Sequence, residues 1–131
     1  MNATAKNILV TGGFLMALGV VFGAVGTHAL RGRLTPDQLG VFETAVRYHL
    51  YNALGLLAIG AVALTGRPPQ LRIAASLIVA GIVLFSGALY AASLGAPRFI
   101  QFLPPIGGLA LIAGWIVFAV AIWRTRSSPA S

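Results

Sequence analysis

The chain contains no cysteine, and only two of its 131 residues are acidic, Asp37 and Glu43. Without cysteine, disulfides, thiolate metal sites and cysteine nucleophiles are excluded. Charged residues make up 8% of the chain, against about 25% in soluble domains, while 58% are hydrophobic. This balance predicts an integral membrane protein, and the sixteen glycines agree, because glycine is common in membrane helices.

The net charge of +7 comes from cations that are scattered along the chain rather than clustered. Apart from Arg47, each cation stands at the end of an apolar run. From there a long basic side chain can reach the lipid headgroups. We therefore expect the lipid bilayer to be the partner of this charge, and we expect no nucleic acid.

Four apolar runs cover approximately residues 8–30, 45–64, 73–94 and 105–123. Each holds about 20 residues, enough at about 1.5 Å per residue to cross a hydrocarbon core of about 30 Å. Gly66 and Gly95, each followed by proline within two residues, are typical helix stops. The pattern predicts one all-α integral membrane domain over residues 1–131, a four-transmembrane-helix up-down bundle ending in a flexible polar tail at 124–131.

The second helix has a clear start at Thr35-Pro36-Asp37-Gln38, where Thr35 and Gln38 are placed for a capping box. From there to Leu64 the helix would be roughly ten residues longer than a bilayer core requires. Its first turns carry an apolar stripe with polar residues beside it, formed by Leu39, Phe42, Val46 and Leu50. We expect an interfacial amphipathic extension at the start of helix 2.

The up-down connection brings most unusual residues to one membrane face. The candidate polar cluster consists of His28, Glu43, Arg47, Tyr48, His49, Tyr51, Asn52 and Tyr90. We expect Glu43 to pair with Arg47 four residues later and with His28 of the first span. Two alternatives stay open: the tyrosines can form an interfacial aromatic belt, and Asn52 can hydrogen-bond between helices.

Residues for catalysis or for a bound cofactor are sparse. The two histidines lack an HxxxH or ExxH spacing, and no carboxylate set for a di-iron site exists. Ser86 lies in FSG rather than in the GxSxG context of a serine hydrolase. We expect no catalytic residues, no metal and no cofactor.

Small residues recur at spacings that let membrane helices approach closely. Gly19 and Gly23 form a GxxxG motif, and further small residues stand at four-residue spacings in the last two spans. The candidate packing positions are Gly19, Gly23, Gly87, Gly107, Gly108 and Gly114. They serve packing within the bundle, or packing against other membrane proteins or a second copy.

Four motifs occur in order: GAVGTHAL at 23–30, FETAVRY at 42–48, FSGALY at 85–90 and PIGG at 105–108. Together they resemble the domain of unknown function 423 family, small four-span membrane proteins of bacteria with mitochondrial relatives. The resemblance covers approximately residues 15–123 and implies an architecture without an established activity. Where the family pattern has a histidine, this chain has Asn52; Val25, Thr27 and Pro104 also depart from it.

From these observations we expect a non-enzymatic packing or accessory subunit of the bacterial inner membrane. The alternative is a binder or transporter of a small molecule or ion, with a polar pocket at one membrane face. The orientation follows from the cations near the span ends. Five cations would be cytoplasmic and four external if both termini are inside, which favours cytoplasmic termini.

Overall fold

The computed structural model describes residues 1–127, so part of the predicted tail, 128–131, lies outside the described residues. The described chain is all-helical, with four main helices, which confirms the predicted fold class and helix number. The helices are α1 (Ala3–Val25), α2 (Pro36–Ala63), α3 (Leu71–Ser93) and α4 (Leu103–Trp123). α1 continues into a wider π turn (Gly26–Leu30), α3 contains another (Ile82–Gly87), and a 3-10 turn (Arg98–Phe102) precedes α4.

Three helical segments of the described chain are long and apolar enough to cross a membrane: Ala3–Leu30, Leu71–Ser93 and Arg98–Trp123. α2, although 28 residues long, is not among them. Its middle carries polar and charged residues that lower its hydropathy, namely Arg47, Tyr48, His49, Tyr51 and Asn52. The structure therefore supports three of the four predicted spans on hydropathy and length.

The start of α2 and the ends of α2 and α3 were predicted from local chemistry, and the structure has them at the expected residues. The Gln38 N–H donates to Thr35 Oγ1 at 3.2 Å, and the Thr35 N–H donates to Gln38 Oε1 at 2.9 Å, which completes the capping box. After α2 and α3 the chain turns at Gly66 (φ +80°) and Gly95 (φ +95°). Residues that have a side chain rarely adopt this left-handed backbone conformation, so glycine is favoured at both positions.

The helices pack as two antiparallel pairs. α1 lies along α2, α4 lies along α3, and α2 meets α3 between them. We call the end where α1 begins and α4 ends the terminal end; the α2–α3 loop is at the same end. An apolar core fills this half of the molecule, formed by Ala5, Ile8, Leu56, Ile59, Ala63, Leu71, Ala75, Ile78, Ile82 and Leu111.

The first half of α2 packs on the second half of α1. Leu50 Cδ2 lies 2.6 Å from where a Cβ on Gly19 would be, and Val46 Cγ1 lies 3.4 Å from the same point on Gly23. Phe42 covers Gly26 in the same way. The predicted apolar stripe is therefore the α1-facing side of α2, while Asp37 is exposed.

Candidate functional site

His49 is the centre of the polar cluster and is only 2% exposed. Its Nε2 lies 2.8 Å from the Leu15 carbonyl oxygen of α1, and its Nδ1 lies 2.8 Å from the Tyr90 hydroxyl of α3. A carbonyl oxygen only accepts, so Nε2 carries the hydrogen; in the neutral ring Nδ1 then accepts from the Tyr90 O–H. One side chain of α2 thereby connects both neighbouring helices.

Aromatic rings enclose this hydrogen-bonded pair. The Phe22 ring centroid lies 4.7 Å from that of Tyr90 and 6.3 Å from that of His49, and the Phe42 centroid lies 5.1 Å from that of Tyr90. Gly19 lies beside the imidazole: a Cβ there would be 3.4 Å from His49 Cδ2, about van der Waals distance. In such low-polarity surroundings each hydrogen bond is stronger, and an unpaired polar group is costly.

Asn52 makes a second interhelical hydrogen bond, between α2 and α4. It is 6% exposed; its Oδ1 accepts from Trp115 Nε1 at 2.9 Å and its Nδ2 donates to the Tyr48 carbonyl at 2.8 Å. The indole ring lies against Gly55, where any side chain would overlap it. The interhelical hydrogen bond that was left open as an alternative for Asn52 is therefore formed.

Three of the groups that complete these interhelical hydrogen bonds and their surroundings were not predicted from the sequence. Trp115 stands in the middle of the last apolar run, and a buried indole N–H needs a hydrogen-bond partner, so its position was a usable signal. Phe22 and the Leu15 carbonyl gave no such signal. A backbone carbonyl is identified as a partner only once the register of α1 against α2 is known.

The structure does not bring His28, Glu43 and Arg47 into this cluster. All three are exposed, and no salt bridge occurs within residues 1–127, so the predicted pairs of Glu43 with Arg47 and with His28 are not formed. Glu43 and Arg47 each follow a residue of the α1-facing stripe by one position. The helical period therefore turns them away from α1.

The predicted packing glycines divide into two groups. Gly19 and Gly23 face α2, Gly107 and Gly114 face α3, and Gly108 lies near the Phe85 ring. Gly87 is different: it is exposed, and a Cβ built on it would meet no heavy atom within 4 Å. Its neighbours Ser86 and Ala88 form the buried side of α3, which leaves Gly87 on the outside.

Ser86 lies in the π turn of α3 and is 1% exposed. Its Oγ is the one buried side-chain polar atom in residues 1–127 without a hydrogen-bond partner. No histidine contacts it to activate the hydroxyl as a nucleophile. Within the described chain no three His, Cys, Asp or Glu side chains come together.

An open cleft of about 660 Å³ lies beside the cluster, between α2 and α4. We call it the α2–α4 cleft; its lining is Tyr48, Tyr51, Asn52, Phe85, Gly108, Leu111, Ile112, Trp115, Ile116 and Ala119. Tyr48 and Tyr51 are exposed at its rim, and the Tyr48 ring packs edge-on against Phe85 with centroids 5.1 Å apart. Its walls are aromatic and aliphatic, with few polar groups.

Fold and site together define an all-helical membrane protein whose interior polar groups link neighbouring helices. The family model described as "Protein of unknown function (DUF423)" matches residues 22–108, a range that includes His49, Asn52 and Tyr90. The chain belongs to this family, which confirms the resemblance found in the sequence.

Several bacterial membrane proteins are similar over most of their length. The UPF0382 membrane protein YwdK of Bacillus subtilis is 39% identical over 118 residues, covering 88% of this chain and 95% of the relative. A UPF0382 membrane protein of Staphylococcus haemolyticus is 35% identical over 119 residues, covering 91% and 97%. One from Haemophilus influenzae is 32% identical over 108 residues, covering 82% and 86%. No solved structure matches the chain significantly.

Proposed function

We propose that the protein is a non-enzymatic accessory protein of the bacterial inner membrane, with all four helices in the bilayer. In this proposal the α2–α4 cleft receives one transmembrane helix of a partner membrane protein. One observation carries it: the buried side chains of His49 and Asn52 form hydrogen bonds between helices inside the molecule, while the cleft beside them is open and apolar.

The proposal that α2 is a fourth span rests on its length and its hydrogen bonds. A helix of 28 residues extends about 42 Å, more than the hydrocarbon core of about 30 Å. His49 and Asn52 lower its hydropathy, but their polar atoms bond within the protein and need no water. Arg47 is exposed, so its long side chain can extend towards the headgroups.

The chemistry of the cleft favours an apolar occupant over an ion or a polar small molecule. The Asn52 amide oxygen and the Trp115 N–H are bonded to each other, which leaves the cleft few free polar groups. The pocket expected for a binder or transporter would need His28, Glu43 and Arg47, which are exposed and apart from the cluster. That alternative therefore has less support.

Gly108 favours a helix over a lipid chain as the occupant. A Cβ built there would contact only the edge of the Phe85 ring, at 3.7 Å, so the α4 backbone is accessible from the cleft. Membrane helices associate where small residues let their backbones approach closely. Apolar side chains of a partner helix would then fill the space between Ile112 and Tyr51.

The orientation belongs to the same proposal. Cytoplasmic termini place five of the nine cations inside. This agrees with the tendency of lysine and arginine to lie on the cytoplasmic side of a membrane, in which acidic residues count little. We expect a reporter enzyme that works only in the cytoplasm to be active when fused to the C-terminus. Activity of an externally active reporter at that position would reverse the assignment.

Photo-crosslinking in native membranes tests the occupant of the cleft. A crosslinking amino acid replaces Ile112 in the cleft or, as a control, Ile73, an exposed α3 residue outside it. We expect Ile112 to yield one membrane protein, identified by mass spectrometry and crosslinked through one of its transmembrane segments, whereas Ile73 yields lipid adducts. Gly108→Leu should abolish the protein adduct. Lipid adducts alone at Ile112, or adducts with a second copy of this chain, would overturn the proposal.

A further inference from the structure

A second cavity of about 620 Å³ lies at the terminal end, between α1 and α3. These two helices hardly touch, so their facing sides form the walls of a groove. We call it the α1–α3 groove. Its polar lining consists of Thr4, Asn7 and Thr11 on α1 and Arg72 and Ser76 on α3. At three- and four-residue spacings, Thr4, Asn7 and Thr11 share one side of α1.

The groove continues into a smaller cavity of about 290 Å³ at the α2–α3 loop. The two cavities share Thr4 and Arg72, and the smaller one adds Asn2 and Arg67. The mouth of the groove is therefore lined by two guanidinium-bearing residues and by hydrogen-bonding side chains. Arg67 and Arg72 are both exposed.

The chain has no acidic side chain near these cations. Its only two acids are Asp37, in the first turn of α2, and Glu43, and both belong to the end of the molecule opposite the terminal end. No salt bridge occurs within residues 1–127. α1 and α3 both begin at this groove, so the positive ends of their dipoles add to its charge.

Alongside its polar side chains the groove has an apolar part. Ile8, Leu56, Val79 and Ala80 form this part. From Thr4 to Thr11 the groove follows about 10 Å of helix, at about 1.5 Å per residue. A charged mouth joined to a groove with an apolar part matches a molecule with an anionic head and a hydrocarbon chain. Basic pockets between membrane helices bind anionic lipid headgroups elsewhere.

We propose that the α1–α3 groove binds one anionic glycerophospholipid. Arg72 pairs with the phosphodiester, the side chains of Thr4 and Asn7 donate hydrogen bonds to its oxygens, and one acyl chain lies over Val79 and Ala80. Arginine suits this role because its planar guanidinium can contact two phosphate oxygens at once. The groove and the α2–α4 cleft share no lining residue, so the two proposals can fail separately.

The test uses the full chain purified in detergent, with native mass spectrometry and thermal unfolding as readouts. Phosphatidylglycerol is compared with phosphatidylcholine of the same acyl chains, and both are compared with inorganic phosphate. We expect one phosphatidylglycerol per chain with a raised melting temperature, weaker binding of phosphatidylcholine, and no competition by inorganic phosphate. Equal binding of the two lipids would overturn the proposal, and so would displacement by phosphate, which would indicate a soluble anion site.

Variants locate the lipid. Arg72→Gln should weaken phosphatidylglycerol binding by about tenfold, as expected for the loss of a charged hydrogen bond. Arg126→Gln removes the same charge at the same end, outside the groove, and should leave binding unchanged. Equal losses in both variants would indicate diffuse surface attraction and would overturn the proposal. If Arg72→Gln does not fold, Asn7→Leu at an exposed position replaces it and should also weaken phosphatidylglycerol binding. Unchanged binding in that variant would overturn the proposal.

Discussion

α1 meets α2 through side chains, whereas α3 and α4 also come into backbone contact, at Gly107. On the first contact, side chains of α2 cover the glycines of α1, with Leu50 over Gly19 and Leu57 over Gly12. On the second, a Cβ built on Gly107 would run into the α3 backbone, with Leu84 C at 2.6 Å, while a Cβ on Gly114 would meet the Ile78 side chain at 2.8 Å and Ala74 O at 3.1 Å.

The two contacts also differ in how they are held. α2 is fixed by His49, which bonds α1 and α3, and by Asn52, which bonds Trp115 of α4. No side-chain hydrogen bond joins α3 to α4 in residues 1–127, so that pair depends on close approach. Side chains can rotate away from an added atom, but a helix backbone can only move as a whole. A methyl group should therefore cost more at Gly107 of α4, which meets backbone, than at a glycine of α1 that side chains cover.

The largest effect is expected at Gly107, where a Cβ would meet the backbone of Leu84 and Phe85. Gly107→Ala should destabilise the protein by about 3 kcal/mol, the upper part of the range for overpacking. Unfolding in mixed detergent with increasing dodecyl sulfate measures it. Gly108→Ala next to it, and Gly23→Ala on α1, should cost little, because both would make ordinary van der Waals contacts. Similar losses in all three variants would remove the distinction between the contacts.

A smaller effect is expected at His49, whose hydrogen bonds join α2 to α1 and α3. His49→Phe leaves the Tyr90 hydroxyl without its partner and should cost about 1–3 kcal/mol. Tyr90→Phe likewise leaves His49 Nδ1 unpaired. Because both partners are gone in the double variant, it should be more stable than the sum of the single losses predicts, by about 1 kcal/mol. Strict additivity in the same unfolding assay would mean that the hydrogen bond does not hold the contact.

The capping box at the start of α2 acts locally and should give an effect of about 1 kcal/mol. Thr35→Ala combined with Gln38→Ala removes both of its hydrogen bonds. Hydrogen exchange of the amides in residues 39–43 should become faster, while the contact of Leu50 with Gly19 persists. Unchanged exchange in this segment would argue against a stabilising cap. Thr65→Ala serves as the control, because it removes a hydroxyl group outside the capping box.

The smallest effect is expected at Ser86, which lies in the π turn of α3. Its buried Oγ has no hydrogen-bond partner in the described chain, so the hydroxyl carries a desolvation cost without compensation. Ser86→Ala should be neutral or raise the melting temperature slightly. Ser93→Ala is the matched control, because the Ser93 hydroxyl is buried but bonds the Tyr90 carbonyl at 2.8 Å. If Ser86→Ala destabilised the protein more than Ser93→Ala, the Ser86 hydroxyl would not be an unpaired group.

The sequence by itself determined the parts that depend on a few neighbouring residues. The all-α class follows from four apolar runs, the capping box from Thr35 and Gln38, and the helix ends from Gly66 and Gly95. Each of these is decided within one or two turns of chain. The amphipathic stripe of α2 was predictable for the same reason, since helical periodicity alone puts Phe42 and Val46 on one side.

Only the tertiary structure decided which polar residues meet. The sequence favoured His28 as a partner of Glu43, yet His28 is exposed, and it is His49 that is hydrogen-bonded between three helices. Asn52 bonds Trp115, and Arg72 lines the same groove as Asn7, because of how far each helix is rotated about its axis and shifted along it. Rotation and shift are set by packing across the whole length of neighbouring helices. A short stretch of sequence does not encode them.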